Sequence, residues 1–271
     1  MTKLGLVAAA IVLFVVTPAR AQPDQPDVLP KEFSCMTSHA KGASKFWLGK
    51  SRCVMKCLTL FWKGKLGSES DCLPPYAGVT AQCVDDTVLG VKGVQNKFEA
   101  TVTKTCLTGP GANCPECYGA GGCDVSASQD LVQQQELQFD SFVPVVFCER
   151  AGALQVEQKC QLNTEKVLVK YFGLRHKCYT KCLVDQRSGG DPATCLPPAS
   201  DPDTIVCLSG AAAKSAAAID KPCDETLYPD AKPDCGGSYP NGTTWTNLIT
   251  SVVDAMIAPT YCASPSGAFV E

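Results

Sequence analysis

The sequence CMTSHAKGASKFWLGKSRCVMKC at residues 35–57 has the same cysteine spacing as CQLNTEKVLVKYFGLRHKCYTKC at residues 160–182. In both stretches seventeen residues separate the first two cysteines, and three separate the next two. Each copy then continues to the same four letters, CLPP, at residues 72–75 and 195–198. A repeat of this length predicts one structural unit present twice in tandem.

All eighteen cysteines follow an N-terminal segment that has the features of an export signal. Lys3 supplies its positive start, residues 4–16 form an apolar run, and Ala19-Arg20-Ala21 is a small-x-small cleavage site. We predict cleavage after Ala21 and a secreted or periplasmic protein without a membrane span in the mature chain. An even number of cysteines in an exported chain is typical of a disulfide framework.

Alignment of the copies gives each of them eight corresponding cysteines, which we predict to be structural disulfide cysteines. They are Cys35, Cys53, Cys57, Cys72, Cys83, Cys106, Cys123 and Cys148 in the first copy, and Cys160, Cys178, Cys182, Cys195, Cys207, Cys223, Cys235 and Cys262 in the second. Their connectivity stays open, because spacing alone does not select among the possible pairings.

Helical periodicity predicts an all-α fold. Val167, Tyr171, Leu174 and Cys178 recur at intervals of four, three and four residues, which places them on one helical face with Thr164 as the cap. A turn rich in Gly, Ser and Asp follows this first helix at residues 64–71 and 188–191, and the double prolines end any helix beyond it. Apolar residues of 91–102 and the alanines of 211–218 predict a second helix in each copy.

A third element is predicted to close each copy. In the second copy Trp245, Leu248, Val252 and Met256 share one helical face, with a cap at residue 243 or 244. In the first copy Pro144 is expected to break the helix and leave residues 142–147 extended. Each module is therefore a helical hairpin plus a third element. The predicted boundaries are a signal peptide at 1–21, a flexible tail at 22–34, module one at 35–148, a linker at 149–159, module two at 160–262 and a tail at 263–271.

The spacing C-x17-C-x3-C, with Lys-aromatic pairs at Lys45-Phe46 and Lys170-Tyr171, resembles a group of exported cysteine-rich helical repeats in bacterial proteins. That group has no assigned activity. The resemblance implies a helical disulfide module and supplies no catalytic residue. It covers most of both copies, but not the insertion of the first copy around Cys114 and Cys117.

Cys114-Pro115-Glu116-Cys117 is the surplus cysteine pair and admits three interpretations. A C-x-x-C pair in an exported chain is compatible with a redox-active dithiol. Together with Cys106 and Cys123 the pair offers four thiolates for zinc, although the spacing of the second half is unfavourable. The third interpretation, a structural bridge in an insertion loop, is the one we favour, so no metal or cofactor is predicted.

His39 and His176 occupy no metalloprotease or haem-attachment motif, and we predict that both are solvated on helix surfaces. Lys45, Lys170 and the pair Lys56/Lys181 repeat beside aromatic residues. Such a basic and aromatic surface suits a glycan or protein partner, but inward-packed aromatics with exposed lysines are the more common arrangement.

The formal net charge is −3, and loss of Lys3 and Arg20 makes the mature chain more acidic still. Net charge therefore gives no support to nucleic acid or anionic lipid as a partner. The two copies share cysteines, an apolar helical face, a proline turn and two lysines, and not the residue types usually needed for catalysis. This pattern predicts a non-catalytic structural or binding module with a protein or cell-envelope glycan as partner. The alternatives are a thiol–disulfide oxidoreductase that uses Cys114 and Cys117, and an inhibitor or toxin-like binder of proteins.

Overall fold

A computed structural model describes residues 30–85, 93–110, 112–119, 122–125, 131–148, 153–187, 191–227 and 239–263. The predicted signal peptide, Cys235 and all but the first residue of the predicted C-terminal tail lie outside this part. The described residues contain seven α-helices and no strand, which confirms the all-α prediction. The helices are α1 (Pro30–Trp62), α2 (Gly78–Val84), α3 (Val94–Val102), α4 (Leu131–Val146), α5 (Gln155–Gln186), α6 (Pro202–Asp220) and α7 (Gly242–Thr260).

Both long helices begin earlier than the sequence predicts. Helix α1 starts at Pro30, inside the predicted flexible tail, because proline is well suited to the first position of a helix. Helix α5 starts at Gln155, inside the predicted linker, where the Glu157 carboxylate accepts a hydrogen bond from the backbone N–H of Leu154. Thr164, the predicted cap, is instead buried within α5.

The two long helices form an antiparallel central pair. The ring of Trp47 in α1 stacks on the ring of Phe172 in α5, with centroids 4.0 Å apart and planes 7° from parallel. Phe33 near the start of α1 lies against Arg187 just after α5, 4.9 Å from ring centroid to guanidinium carbon. Residue 172 is the repeat counterpart of residue 47, so an approximate two-fold axis relates the long helices and passes between these rings.

The remaining helices pack around this pair. Helix α3 lies against α1 and α6 against α5, while α4 and α7 contact the inner sides of α1 and α5. Helices α1 and α3 approach closely at Gly42, where a Cβ atom would lie 2.6 Å from the Phe98 ring. Buried residues of both copies belong to one hydrophobic cluster. Leu174, predicted to face that cluster, is 45 % exposed.

The third element is an α-helix in both copies, α4 and α7. Pro144 does not break α4, and residues 142–146 are helical rather than extended. The proline sits in the last turn, as Pro259 does in α7, so the missing N–H interrupts the ladder only near the helix end. The cap of α7 is Asn241, whose side chain accepts a hydrogen bond from the Thr244 N–H at 3.0 Å. Its fully buried residues, Ile249, Val253 and Ile257, lie beside the predicted stripe, whose Leu248, Val252 and Met256 are only half-buried.

Three disulfides in each copy occupy equivalent positions. They are Cys35–Cys106, Cys53–Cys83 and Cys57–Cys72 in the first copy, and Cys160–Cys223, Cys178–Cys207 and Cys182–Cys195 in the second. Each joins a long helix to a segment of the same copy that follows it. The long helix of each copy is therefore covalently tied to its own hairpin partner.

Candidate functional site

The surplus cysteines Cys114 and Cys117 are not joined to each other. Cys114 is bonded to Cys123, and Cys117 is bonded to Cys262 at the end of the second copy. The short 3₁₀ turn Glu116–Tyr118 separates the two side chains. Two corrections follow. Cys123 and Cys262 are structural, but each is bonded to a cysteine of the insertion and not to one of the common framework. Cys114 and Cys117 lack the shared disulfide of a two-cysteine redox couple.

Zinc ligation by Cys106, Cys114, Cys117 and Cys123 is not supported either. These cysteines belong to three different disulfides. The sulfurs of Cys35, Cys106 and Cys123 lie within 4.8 Å of one another because two bridges are adjacent. Sulfur in a disulfide is not the thiolate that zinc requires.

Peptide mapping of the unreduced protein tests this connectivity. We expect a digest to release a disulfide-linked peptide pair that contains Cys117 and Cys262, because this bridge joins residues 145 positions apart. The peptide that carries Cys148, which is also bonded, will identify its partner by mass. Recovery of Cys114 and Cys117 within one internally bridged peptide would contradict the structure.

A buried cation anchors the long helix of each copy to its third helix. In the first copy the Lys50 ammonium lies 2.9 Å from Glu136 Oε1 and 2.7 Å from Asp140 Oδ1. The Tyr76 hydroxyl donates to the same Asp140 oxygen at 2.7 Å. Lys50 is fully buried, and the rings of three aromatic residues lie 5.0–5.5 Å from its ammonium nitrogen.

The second copy repeats this arrangement. The Arg175 guanidinium forms an ion pair with Asp254, and the Tyr179 hydroxyl donates to Asp254 at 2.8 Å. Arg175 is the repeat counterpart of Lys50. Sequence reasoning missed both cations, because the equivalence of Lys50 and Arg175 appears only when lysine and arginine are treated as one cationic type in the aligned copies. Repetition in both copies indicates a structural role for these ion pairs.

Three further titratable side chains of α1 and α5 are buried. Burial raises the pKa of Glu165 to about 8, an effect that the nearby Ser51 hydroxyl partly opposes. Burial lowers the pKa of His39 to about 4 and that of His176 to about 3. The prediction that both histidines are solvated is wrong. Only 1–2 % of the surface of each is exposed, and the His39 ring lies against Phe98 of α3 and Tyr118 of the insertion, with centroids 5.4 Å and 6.2 Å away.

The sides of α1 and α5 that face away from the Lys50 and Arg175 ion pairs carry an exposed basic face. Helical geometry places its members within an arc of about 60° on each helix, on the side away from Lys50 and Arg175. The basic face consists of Lys41, Lys45, Arg52 and Lys56 from α1, and Lys159, Lys166, Lys170, Lys177 and Lys181 from α5. The predicted arrangement is confirmed here: lysines are exposed, and their aromatic neighbours Phe46, Trp47, Tyr171 and Phe172 are buried.

Four positions of the basic face are duplicated. The pairs are Lys41/Lys166, Lys45/Lys170, Arg52/Lys177 and Lys56/Lys181, each 125 residues apart like the cysteines of the long helices. No member forms an ion pair with a residue that the structure describes. Hydrogen bonds from Thr204 lower the pKa of Asp201, and the more distant positive charge of Lys181 lowers it further. The net charge of the chain therefore hides a strong local separation of charge.

Acidic residues are scarce on the two long helices. Glu32 is the one acidic residue of α1, at its N-terminal end. Those of α5 are Glu157 near its start, the buried Glu165 and Asp185 near its end. A groove of about 480 Å³ runs between the helices at one end, floored by Met55, Leu60 and Leu162 and bordered by lysines of the basic face.

None of the described helices is both long and apolar enough to cross a membrane. In comparisons with known proteins, no family model, no curated protein and no solved structure matches this chain.

Proposed function

We propose that the chain is an exported, disulfide-braced binding module whose basic face holds a linear acidic polysaccharide. The observation that carries the proposal is the duplication of four exposed, unpaired cationic positions. Exposed side chains that pack against nothing are not constrained by folding. Their agreement in charge between two otherwise divergent copies supports a role in binding.

The arrangement of charges suits an extended ligand. Because α1 and α5 are antiparallel, the duplicated cations form two rows that run in opposite directions about the Trp47–Phe172 contact. The outermost of them, Lys56 and Lys181, lie nine residues from this contact, so the rows span about 27 Å at 1.5 Å per residue. A linear polymer along the groove between the helices would meet cations on both sides.

The chemistry of the basic face favours a glycan over other polyanions. Single-stranded nucleic acid is bound by aromatic side chains on which bases stack, whereas the aromatics of 46–47 and 171–172 are buried. Helices that lie on bilayers present a broad apolar side, whereas here exposed Leu174 and Val184 stand among lysines. Carboxylate or sulfate groups along a polysaccharide need only point charges, which lysine supplies.

The disulfides favour a preorganised binding surface. Bridges tie each long helix to its own copy, and Cys117–Cys262 ties the copies together, so the rows of cations are held before the ligand arrives and the entropic cost of association is lower. The inhibitor or toxin-like alternative rests on the same rigidity but has no further observation in its favour.

Binding of a fluorescent linear sulfated polysaccharide and of a polyuronate to the mature protein tests the proposal. We expect affinity to fall steeply with salt, because charged contacts between exposed groups are screened. The variant Lys166→Glu/Lys170→Glu/Lys177→Glu should lose at least thirty-fold in affinity, since each change removes an attraction and adds a repulsion.

A charge-matched variant away from the basic face serves as the control. Lys65→Glu/Lys104→Glu/Lys221→Glu alters three exposed lysines that lie outside α1 and α5, and it should change the affinity less than three-fold. Equal losses in both variants would show attraction to net charge alone and contradict the proposal. So would tighter binding to vesicles of phosphatidylglycerol or to single-stranded oligonucleotides than to either polysaccharide.

A further inference from the structure

We propose that one disulfide in each copy is a thiol-exchange site, at which a small anionic thiol forms a mixed disulfide with the protein. The two bridges are Cys53–Cys83 in the first copy and Cys178–Cys207 in the second. Each joins a long helix to a helix that follows it, α2 in the first copy and α6 in the second. The inference goes beyond the proposed binding of a polysaccharide and does not depend on it.

Access to solvent distinguishes these two bridges from the others. Among the cysteines that the structure describes, Cys83 and Cys207 are exposed, whereas every other one is buried or half-buried. Their partners Cys53 and Cys178 are each only 4 % exposed. A thiolate can therefore reach one sulfur of each bridge from solvent, and it is the equivalent sulfur in both copies. Thiol–disulfide exchange depends on such access and on which sulfur is attacked.

Two exposed lysines flank the buried sulfur of the second-copy bridge. Lys177 precedes Cys178 in α5, and Lys181 lies one turn farther along on the same side of the helix. Lys181 also interacts electrostatically with Asp201, the cap of α6, which is the helix that carries Cys207. Both positive charges are therefore placed to attract an anionic thiol and to stabilise the thiolate that Cys178 becomes when the bridge opens.

The first copy has the same arrangement of charges. Arg52 precedes Cys53, and Lys56 follows it by three residues, at the same offsets as the lysines of the second copy. Both cations are exposed. Two of the four duplicated pairs of the basic face thus lie beside an exposed bridge, whereas the pairs 41/166 and 45/170 lie farther along the helices. The recurrence of both exposure and charge at one bridge per copy supports a common chemistry.

The exchange consists of two substitutions at sulfur. The incoming thiolate attacks Cys207 Sγ, its electron pair forms the new S–S bond, and Cys178 leaves as a thiolate that takes up the proton released by the incoming thiol. A second thiolate then attacks the outer sulfur of the mixed disulfide and displaces Cys207. Two molecules of the small thiol are thereby oxidised to a disulfide, and the bridge is reduced to two thiols. Cys83 reacts in the same way in the first copy.

Each site can open while the fold persists, because two further bridges of the same copy enclose it. One precedes the helix that carries the exposed cysteine, and the other follows it. These bridges are Cys57–Cys72 and Cys35–Cys106 in the first copy, and Cys182–Cys195 and Cys160–Cys223 in the second. Cys182 lies one turn from Cys178 on α5, and both cysteines of its bridge are buried. The Cys182–Cys195 bridge is therefore a matched control for accessibility.

Exchange of the mature, unreduced protein with 2-mercaptoethanesulfonate, an anionic thiol, tests the proposal. After quenching with acid, peptide mass spectrometry locates the mixed disulfides. We expect adducts on Cys83 and Cys207 at least ten-fold faster than on Cys182 or Cys195. At low salt and equal thiolate concentration, the anionic thiol should react at least five-fold faster than 2-aminoethanethiol, which is cationic, and added salt should reduce this ratio.

The variant Lys177→Gln/Lys181→Gln contains its own control. It should slow exchange at Cys207 at least five-fold and leave exchange at Cys83 within two-fold, because the cations of the first copy are unchanged. Circular dichroism should show the same helical content before and after both sites have reacted.

Several results would overturn this inference. They are equal rates at Cys195 and Cys207, equal rates for the two thiols, a variant that slows both copies or neither, and loss of helical structure on exchange. Polysaccharide binding is measured without any thiol, so none of these results bears on the proposed function.

Discussion

Replacing Glu165 by Gln is expected to stabilise the folded protein by roughly 3 kcal/mol at pH 7 and by roughly 5 kcal/mol above pH 8. Burial raises the pKa of Glu165 from 4.5 to about 8. Between these values the unfolded chain has released its proton while the folded chain retains it. The free energy of unfolding therefore falls as pH rises from 4.5 to 8. Glutamine resembles the protonated acid and removes this loss.

Urea denaturation with intact disulfides, measured from pH 4 to 9, checks the prediction. The variant and the unaltered protein should have similar stability at pH 4 and diverge progressively above it. Glu116→Gln, which alters an exposed acid in a turn, is the control and should leave the pH profile unchanged. A constant difference across the whole range would show that Glu165 is ionised in the folded state.

His39 and His176 act on the acid side of the same profile. Their pKa values are lowered by burial from 6.5 to about 4 and about 3, so the unfolded chain takes up their protons first. Stability therefore falls as pH decreases from 6.5. Both histidines are present in the Glu165→Gln variant, so their contribution cancels in the comparison.

Replacing Lys50 by Met should destabilise the protein by roughly 3 kcal/mol, the lower end expected when one partner of a buried ion pair is removed. The methionine side chain retains most of the apolar stem, so the change isolates the charge. Glu136 and Asp140 would then remain close together without their cation. The lower end applies because both carboxylates are partly exposed, at 24 % and 22 % of their side-chain surface.

Two variants make the Lys50 measurement specific. Lys45→Met removes an exposed lysine from the same helix and should change the free energy of unfolding by less than about 0.5 kcal/mol. Lys50→Arg keeps the charge, as Arg175 does at the equivalent position, and should restore part of the loss. If Lys50→Met and Lys45→Met have equal effects, the ammonium contributes nothing beyond an exposed charge.

The sequence predicts well what depends on neighbouring residues. The spacing of Cys53, Cys57 and their counterparts predicts helices that present both thiols on one side, and the structure has them there. Helical stripes predict the second helix of each copy and the third helix of the second copy, but not α4 of the first copy. Boundaries are less predictable, because a search for apolar periodicity overlooks a proline at the first position of α1 and the hydrogen bond of Glu157 at the start of α5.

Contacts between the copies could not be predicted from either copy alone. Cys262 bonds to Cys117, and Trp47 stacks on Phe172, only where the two copies meet. The alignment treated each copy as closed upon itself, so it expected Cys123 to belong to the common framework. The basic face also depends on α1 and α5 exposing their cationic side chains on the same side of the helix pair, which the net charge of the chain does not reveal.

The contact of Trp47 with Phe172 joins a residue to its own counterpart, which is the geometry of an isologous interface in a homodimer. Here both partners belong to one polypeptide. Their pairing is therefore independent of protein concentration, and their ratio is fixed at one to one. The two partners are also free to diverge, so one of them can acquire side chains, such as Phe98, that the other does not share.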